Sequence, residues 1–264
     1  METSRYLDEY YGQGKEDGRL GSRHGSVEFI TTMGYIEKYL KPGNRIIEIG
    51  AGTGRYSHTL ARQSHRVDAV ELVQYNIDVF KKNTHPGENI TVTQGNAMDL
   101  FGFPDETYDI TLLLGPMYHL YNKDDKLKAL NEAIRVTKRG GVIFTAYVIT
   151  DASVIYGGFK NKNWDIFEYI EKGYIDPQTF AASSEPKLLF ELVRKEDIDA
   201  LMDGLPITRL HYIASDGCSE HISGEIDAMD NAMFDLFMRY HYATCERGDM
   251  VGMTSHSLDI FRKN

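Results

Sequence analysis

The sequence predicts an α/β fold with a seven-stranded, mostly parallel sheet and helices on both faces. Three observations support this prediction. Short apolar runs alternate with helix-period stretches from residue 26 onward, the first run leads into a glycine-rich turn, and Pro-Gly or Gly-Gly pairs separate several segments. Repeated β–α units of this kind build parallel sheets with right-handed crossover connections.

Seven segments are predicted strands because they are short, largely apolar and bounded by turn residues. They are residues 45–49, 66–72, 89–93, 108–114, 142–148, 207–214 and 256–262. The fourth is apolar almost throughout, as expected of a strand that helices cover on both faces. The last two would complete the sheet as an antiparallel pair.

Helices are predicted where apolar residues recur with a period near 3.6. These stretches are residues 26–40, 55–63, 74–84, 124–137, 191–202 and 225–246. The chain then divides into a cap segment at 1–25, an α/β core at 26–148, a helical lid insertion at 149–190 and a completion of the sheet at 191–264. The lid is predicted because this segment contains many aromatic residues and because the Gly157-Gly158 pair would separate short helices within it.

The composition indicates an ordinary globular protein of 264 residues, enough for one large α/β domain with an insertion. A formal net charge of −10, without a dense Lys/Arg cluster, disfavours binding to bulk nucleic acid. No apolar stretch is long enough for a membrane helix, and the N-terminus lacks the apolar region of a secretory signal. Two distant cysteines, Cys218 and Cys245, favour a reduced, cytoplasmic protein.

The glycine-rich turn after the first strand is the main functional signal. Residues 48–54 read Glu-Ile-Gly-Ala-Gly-Thr-Gly. Glycines let the backbone approach a ligand, and the following helix directs its N–H groups at it. The spacing differs from the GxGxxG fingerprint of dinucleotide sites. Because the carboxylate of Glu48 would repel a phosphate and attract a cation, an α-ammonium group fits better than a pyrophosphate.

Residues 48–54 resemble the first motif of class I S-adenosylmethionine (SAM)-dependent methyltransferases, which have a Rossmann-like fold. In that family an acid at the end of the second strand bonds the ribose, and here this position is Glu71. The segment 95–100 resembles the region that meets the adenine, with Asn96 as the acceptor or, alternatively, Asp99. Segments 108–116 and 138–141 resemble the fourth strand and the turn before the fifth.

The resemblance implies SAM as cofactor, S-adenosylhomocysteine as product and residues 26–148 as the SAM-binding core. The cofactor-binding residues that it implies are Tyr11, Arg19, Glu48, Gly50, Ala51, Gly52, Thr53, Gly54, Tyr56, Glu71, Leu72, Asn96, Ala97, Met98 and Leu114. The N-terminal segment would fold over the ligand, with Tyr11 packed on SAM and Arg19 or His24 reaching its carboxylate or the substrate. A frayed terminus is the alternative.

Tyr118 and His119 follow the fourth strand, where the family places the methyl acceptor, and are the candidate catalytic residues. His119 could act as a general base because the ordinary pKa of histidine lies near working pH. Alternatively, Tyr118 and His119 only shape the wall of the acceptor site, since methyl transfer often needs no strong base.

The predicted function is methyl transfer from SAM to a small-molecule acceptor. An RNA or protein methyltransferase, a non-catalytic SAM-binding protein and an NAD-dependent oxidoreductase are the alternatives. His241 and Cys245 are four residues apart, but no second close pair accompanies them, so no metal site is expected. The sequence leaves the oligomeric state open.

Overall fold

A computed structural model describes residues 2–12 and 22–264 of the chain. Arg19, one of the predicted cofactor residues, lies outside the described residues. The structure is a mixed eight-stranded sheet flanked by helices. The strands are β1 Arg45–Ile49, β2 Arg66–Glu71, β3 Ile90–Gln94, β4 Tyr108–Leu113, β5 Thr137–Ile149, β6 Leu192–Val193, β7 Ile207–Ala214 and β8 His256–Lys263. Seven of them have the order β3-β2-β1-β4-β5-β8-β7, and β6 pairs with β5.

The α/β prediction is confirmed, because β1 to β5 pair in parallel and helices connect most of them. Strand β8 runs antiparallel to both β5 and β7, as the predicted closing pair requires. The α-helices are α1 Glu2–Tyr11, α2 Arg23–Glu37, α3 Arg55–Arg62, α4 Gln74–Asn83, α5 Lys123–Val136, α6 Thr150–Ser153, α7 Ile166–Glu171, α8 Lys195–Met202, α9 Ser223–Asp227 and α10 Asn231–Thr244. Among the described residues, none of these helices could cross a membrane.

Two buried apolar clusters lie on opposite faces of the sheet. In β1, Ile46 belongs to one cluster, whereas Ile47 and Ile49 belong to the other. Strand residues alternate between faces, so both faces of β1 are covered, which explains its nearly continuous apolar sequence. The only charged residue in the interior of this strand, Glu48, is 2% exposed and is described with the site.

The predicted helix at 191–202 is wrong in its first part. Leu192 and Val193 form β6, which pairs in parallel with Val148 and Ile149 at the end of β5. Helix α8 begins only at Lys195. Two apolar residues carry no periodicity, so the sequence pattern could not separate this short strand from the helix that follows.

The predicted long helix at 225–246 is two helices. Asp230 lies between α9 and α10 with an extended backbone, and its carboxylate accepts the N–H of Met233 at 2.8 Å. This is an N-cap, in which a short polar side chain satisfies one of the first helical N–H groups. The apolar periodicity continues across the break and therefore conceals it.

Residues 149–190 form short helical turns that pack around Trp164. The indole stacks on Tyr169 with ring centroids 4.5 Å apart. A Cβ at Gly157 would lie 2.3 Å from the indole nitrogen, and one at Gly158 would lie 3.0 Å from the ring. The Gly157-Gly158 pair therefore makes room for the only tryptophan of the chain.

Three glycines of the turn between β1 and α3 have positive φ: Gly50 at 75°, Gly52 at 56° and Gly54 at 91°. A Cβ on Gly50 would lie 2.6 Å from the ring of Pro116, beyond β4. A Cβ on Gly54 would lie 2.5 Å from the ring of Phe80 on α4. The turn can thus follow this path only with glycine at both positions.

Gly54→Ala should lower the free energy of unfolding by about 2–5 kcal/mol, from the left-handed backbone and the overlap with Phe80. Gly43→Ala is the matched control, because Gly43 has φ of 82° and no atom within 4 Å of its built Cβ. It should cost only about 1–2 kcal/mol, the backbone cost alone. Urea denaturation measures both, and equal losses would contradict the packing argument.

Candidate active site

A cavity of about 670 Å³ lies at the carboxyl ends of the parallel strands. The predicted residues that line it are Tyr11, Glu48, Gly50, Ala51, Gly52, Thr53, Tyr56, Glu71, Leu72, Asn96, Ala97, Met98, Leu114, Tyr118 and His119. These residues come from the ends of β1, β2, β3 and β4 and from α1 and α3. In open α/β sheets this edge is where ligands bind.

Two residues that the sequence predicted to contact the cofactor or substrate lie outside this lining. Gly54 does not line the cavity; it is the N-cap of α3, and its N–H bonds the carbonyl of Ala51 at 2.9 Å. His24 also lies away from the cavity lining, and its Nδ1 is 2.7 Å from the carboxylate of Asp227. Gly54 therefore shapes the turn, and His24 joins α2 to α9.

Glu71 ends β2 and ties three backbone segments together. One carboxylate oxygen accepts the N–H of Gly52 at 2.8 Å. The other accepts the N–H of Val73 at 2.9 Å and the side-chain amide of Asn76 at 3.2 Å. Glu71 is 6% exposed, so these hydrogen bonds compensate for its burial. They also fix the glycine turn against the start of α4.

Glu48 is a buried carboxyl on the floor of the cavity. Its Oε2 accepts a hydrogen bond from the backbone N–H of Ser57 at 2.9 Å and a second, short one from the Ser57 hydroxyl. Burial raises the pKa of Glu48 to about 8, although the bonds from Ser57 lower it; the charge of Glu71 raises it further. A nearby cation would favour the ionised form.

Asn96 follows β3 and closes a tight turn. Its side-chain oxygen accepts the N–H of Met98 at 3.0 Å, and its backbone carbonyl accepts the N–H of Asp99 at 2.9 Å. The Asp99 carboxylate instead accepts the N–H of Phe101 at 3.1 Å and does not line the cavity. Of the two candidates for the adenine contact, the geometry favours Asn96.

His119 is held through both ring nitrogens. Its Nδ1 lies 2.9 Å from the carbonyl oxygen of Leu189, and its Nε2 lies 2.9 Å from the hydroxyl of Tyr11. A carbonyl can only accept, so Nδ1 carries the hydrogen. In the neutral ring, Nε2 therefore accepts a hydrogen bond from the hydroxyl of Tyr11. This contact packs α1 against the segment that follows β4.

The carbonyl of Leu189 has a second partner, the hydroxyl of Tyr121, at 2.6 Å. Burial raises the pKa of Tyr121 to about 12, so it stays a donor. Leu189 has φ of 69°, a conformation that is costly for a branched side chain. Its carbonyl thus holds two cavity residues, His119 and Tyr121, in place.

Tyr118 lies beside His119 with ring centroids 4.9 Å apart. Both rings also meet Phe190, at 5.9 Å and 5.5 Å respectively. Tyr10 contacts the same phenylalanine from α1 at 6.0 Å. An aromatic wall therefore closes one side of the cavity, built from the N-terminal helix, the segment after β4 and the end of the 149–190 segment.

Sequence reasoning missed several lining residues, among them Glu28, Arg55, Asn76 and Tyr121. Arg55 and Asn76 lie in the first turns of α3 and α4, so the polar side chains that follow each strand could have indicated them. Glu28 has no such signal, because α2 precedes the first strand.

Glu48 should make stability pH-dependent. Between its ordinary pKa of 4.5 and about 8, the folded protein holds a proton on Glu48 that the unfolded chain has lost. The free energy of unfolding should therefore fall as pH rises across this window, by up to about 1.4 kcal/mol per pH unit. Glu48→Gln, neutral at every pH, should remove this decline in urea titrations; an unchanged slope would refute the assignment.

Comparison with known proteins agrees with this geometry. The family described as "Methyltransferase domain" matches residues 47–145. The chain is 34% identical over 108 residues to a demethylmenaquinone methyltransferase of Lysinibacillus sphaericus, covering 39% of this chain and 44% of that protein. It is 32% identical over 131 residues to the ubiquinone/menaquinone biosynthesis C-methyltransferase UbiE of Vibrio parahaemolyticus, covering 46% and 49%. The chain thus matches about half the length of these curated relatives.

Among solved structures, the chain resembles a SAM-dependent methyltransferase of Thermotoga maritima, a possible histamine N-methyltransferase. The TM-score is 0.61 at 18% identity, over 99% of this chain and 100% of that one. At this identity the likeness concerns the fold. Residues 47–145 thus match the methyltransferase-domain family, and the chain has a Rossmann-like fold in common with solved SAM-dependent methyltransferases.

Proposed function

We propose that this protein transfers the methyl group of SAM to a small-molecule acceptor. The observation that carries the proposal is the cavity at the strand ends, where the glycine turn and the carboxyl groups of Glu48 and Glu71 converge. The methyltransferase-domain match over the core supports the cofactor. The two curated relatives described above are named as methyltransferases of quinone biosynthesis, which supports a small-molecule acceptor.

The residues present fit SAM. An ionised carboxylate offers about four acceptor positions, and Glu71 uses three of them on described protein donors. The fourth is suited to a ribose hydroxyl. Glu48 would meet the α-ammonium group, and the second lone pair of the Asn96 side-chain oxygen would accept from the adenine amino group. The cavity volume of about 670 Å³ is in the usual range for such sites, about 300–1,000 Å³.

When bound, SAM supplies a methyl group on a positively charged sulfur, which is already activated for transfer. The protein then contributes mainly by positioning the acceptor. We place the acceptor beside Tyr118 and His119, which line the cavity next to the aromatic wall. The hydrogen bond from Nδ1 to Leu189 fixes the His119 ring, so that Nε2, now bonded to Tyr11, is the atom that can take a proton.

The acidic lining also favours product release. Glu48 and Glu71 are attracted to a cationic ligand, and the demethylated product S-adenosylhomocysteine has lost the sulfonium charge. The product should therefore bind less tightly than SAM, which allows turnover.

The alternatives have less support. Among the described residues that line the cavity, Arg55 is the single arginine or lysine, whereas an RNA-binding groove requires several cations along the phosphate backbone. A non-catalytic SAM-binding protein would bind SAM but produce no methylated product. An NAD-dependent oxidoreductase would bind NAD in place of SAM.

Glu71→Ala should weaken SAM binding by about 1.5–3 kcal/mol, the usual contribution of a hydrogen bond to a charged group. Isothermal titration calorimetry measures this change. Unaltered SAM affinity would rule out the ribose assignment.

Asp68→Ala is the matched control for Glu71→Ala. Asp68 lies on the same strand and accepts hydrogen bonds from Arg45, Thr91 and Tyr108 at 2.8–2.9 Å, but it does not line the cavity. This variant should lose stability and keep its SAM affinity. If both variants lose affinity equally, the effect of Glu71 is on folding alone.

His119→Ala should lower the rate of methyl transfer by roughly ten- to a thousandfold while leaving SAM affinity within about threefold. His211→Ala is the control, because that histidine bonds Tyr39 and Glu246 away from the cavity. Mass spectrometry of the methylated product, with a panel of small acceptors, gives the rate of methyl transfer. Calorimetry gives the affinity for SAM. A collapse of SAM affinity in His119→Ala would make His119 a cofactor-binding or structural residue.

A further inference from the structure

The carbonyl that holds His119 belongs to a strained turn. Leu189 has φ of 69° and ψ of −45°, and the N–H of Phe190 bonds the carbonyl of Leu188 at 2.9 Å. This is a γ-turn with positive φ, the rarer and more strained of the two γ-turn forms. A strained backbone persists only where the surrounding structure over-determines it. Contacts outside the turn must therefore stabilise the conformation of Leu189.

An ion pair two residues further along the chain supplies such a contact. Nζ of Lys126, on α5, lies 2.7 Å from Oε1 of Glu191, and the two side chains are only 7% and 15% exposed. Water and salt therefore screen this pair little. Burial raises the pKa of Glu191, although the hydrogen bond and the charge of Lys126 oppose the rise. The carboxylate of Glu191 thus depends on Lys126 to remain ionised where it lies.

The backbone of Glu191 is joined to the segment that carries His119. Its N–H donates to the carbonyl of Tyr118 at 2.8 Å. The two residues after Glu191 form β6, which pairs with the end of β5. Residues 189–193 are therefore bonded to the sheet through β6, to α5 through the ion pair and to His119 through the carbonyl of Leu189.

The Leu189 carbonyl is the group through which the ion pair reaches the site. It accepts Nδ1–H of His119 at 2.9 Å and the hydroxyl of Tyr121 at 2.6 Å. If Glu191 lost its partner, the backbone around it would shift, and the bond from Nδ1 to this carbonyl would weaken. The neutral ring of His119 would then no longer be restricted to the tautomer in which Nε2 is the acceptor.

We infer that Lys126 and Glu191 are positioning residues for methyl transfer. Their ion pair holds the Leu189 carbonyl in place, and this carbonyl sets the tautomer and orientation of His119. The inference rests on the proposed function, in which His119 lies beside the acceptor. Neither Lys126 nor Glu191 lines the cavity at the strand ends, so both act through His119.

Nitrogen-15 NMR of histidine-labelled protein reports the tautomer of His119. The His119→Ala variant assigns its signals among those of the nine histidines. At about pH 8, above the ordinary histidine pKa of about 6.5, the unmodified protein should show the Nδ1–H form. Lys126→Met should add the Nε2–H form, because residues 189–193 lose their bond to α5. Lys126→Arg, which keeps a cation opposite Glu191, should retain the Nδ1–H form.

Arg209→Met is the matched control. It removes the cation from another buried carboxylate, Asp259, whose Oδ2 lies 2.7 Å from Arg209 and which is away from the cavity lining. Removal of one partner of a buried ion pair destabilises a protein, so Arg209→Met and Lys126→Met should both lower the unfolding temperature. Only Lys126→Met should change the signals of His119.

A double variant, Lys126→Met with Glu191→Met, separates orientation from stability. It leaves no buried charge unpaired, so its unfolding temperature should recover towards that of the unmodified protein. The Nε2–H form of His119 should nevertheless remain, because α5 is still not bonded to residues 189–193. If the unfolding temperature and the Nδ1–H form return together, the pair contributes to stability alone and the inference is wrong.

With SAM and an acceptor that the unmodified protein methylates, Lys126→Met should lower kcat roughly ten- to a hundredfold and leave SAM affinity within about threefold. Arg209→Met should change neither quantity. An unchanged kcat in a folded Lys126→Met variant would overturn the inference.

The NMR measurement distinguishes this inference from the proposed function, because it needs neither SAM nor an acceptor. A protein that binds and uses SAM, but whose His119 signals are the same in Lys126→Met as in the unmodified protein, would overturn the positioning role alone. A protein whose His119 responds to Lys126→Met but that binds no SAM in calorimetry would overturn the proposed function.

Discussion

The carboxylate of Glu71 connects the parts of the molecule on which the site depends. It lies at the end of β2, 6% exposed, and accepts N–H groups from the glycine turn, from the β2–α4 junction and from Asn76. A buried carboxylate is tolerated only when its acceptor positions are filled. Its hydrogen bonds therefore hold the glycine turn open, and the same group remains able to accept from a ligand. The second buried acid, Glu48, lies on the same cavity floor and adds a preference for cationic ligands.

The wall of the cavity around His119 is built differently, from contacts between segments far apart in the chain. Tyr11 on α1 meets His119, and Leu189 holds the other nitrogen of that ring. The strand ends are thus combined with aromatic side chains from α1 and the 149–190 segment. Tyr118 also lines a neighbouring cavity of about 460 Å³ between the 149–190 segment and the sheet.

The parallel sheet and the lining of the cavity at its strand ends were predictable because their signals are local. Apolar runs indicate the strands, and the glycine spacing after β1 reflects close approaches to Pro116 and Phe80. Strand β6 escaped prediction because two residues, Leu192 and Val193, carry no periodicity. The bonds from Tyr11 to His119 and from Asp216 to His256 span 108 and 40 residues, and no local pattern encodes such pairs. The residues around His119 could therefore be identified in the sequence, but their contacts could not be predicted.

The central claim is that the cavity at the strand ends recognises SAM through its glycine turn and its two buried acids. The most direct test is a pair of calorimetric titrations of the unmodified chain, one with SAM and one with NAD. The account predicts saturable binding of one SAM per chain and no detectable binding of NAD, whose pyrophosphate would meet the carboxyl groups of Glu48 and Glu71. Binding of NAD without binding of SAM would contradict it.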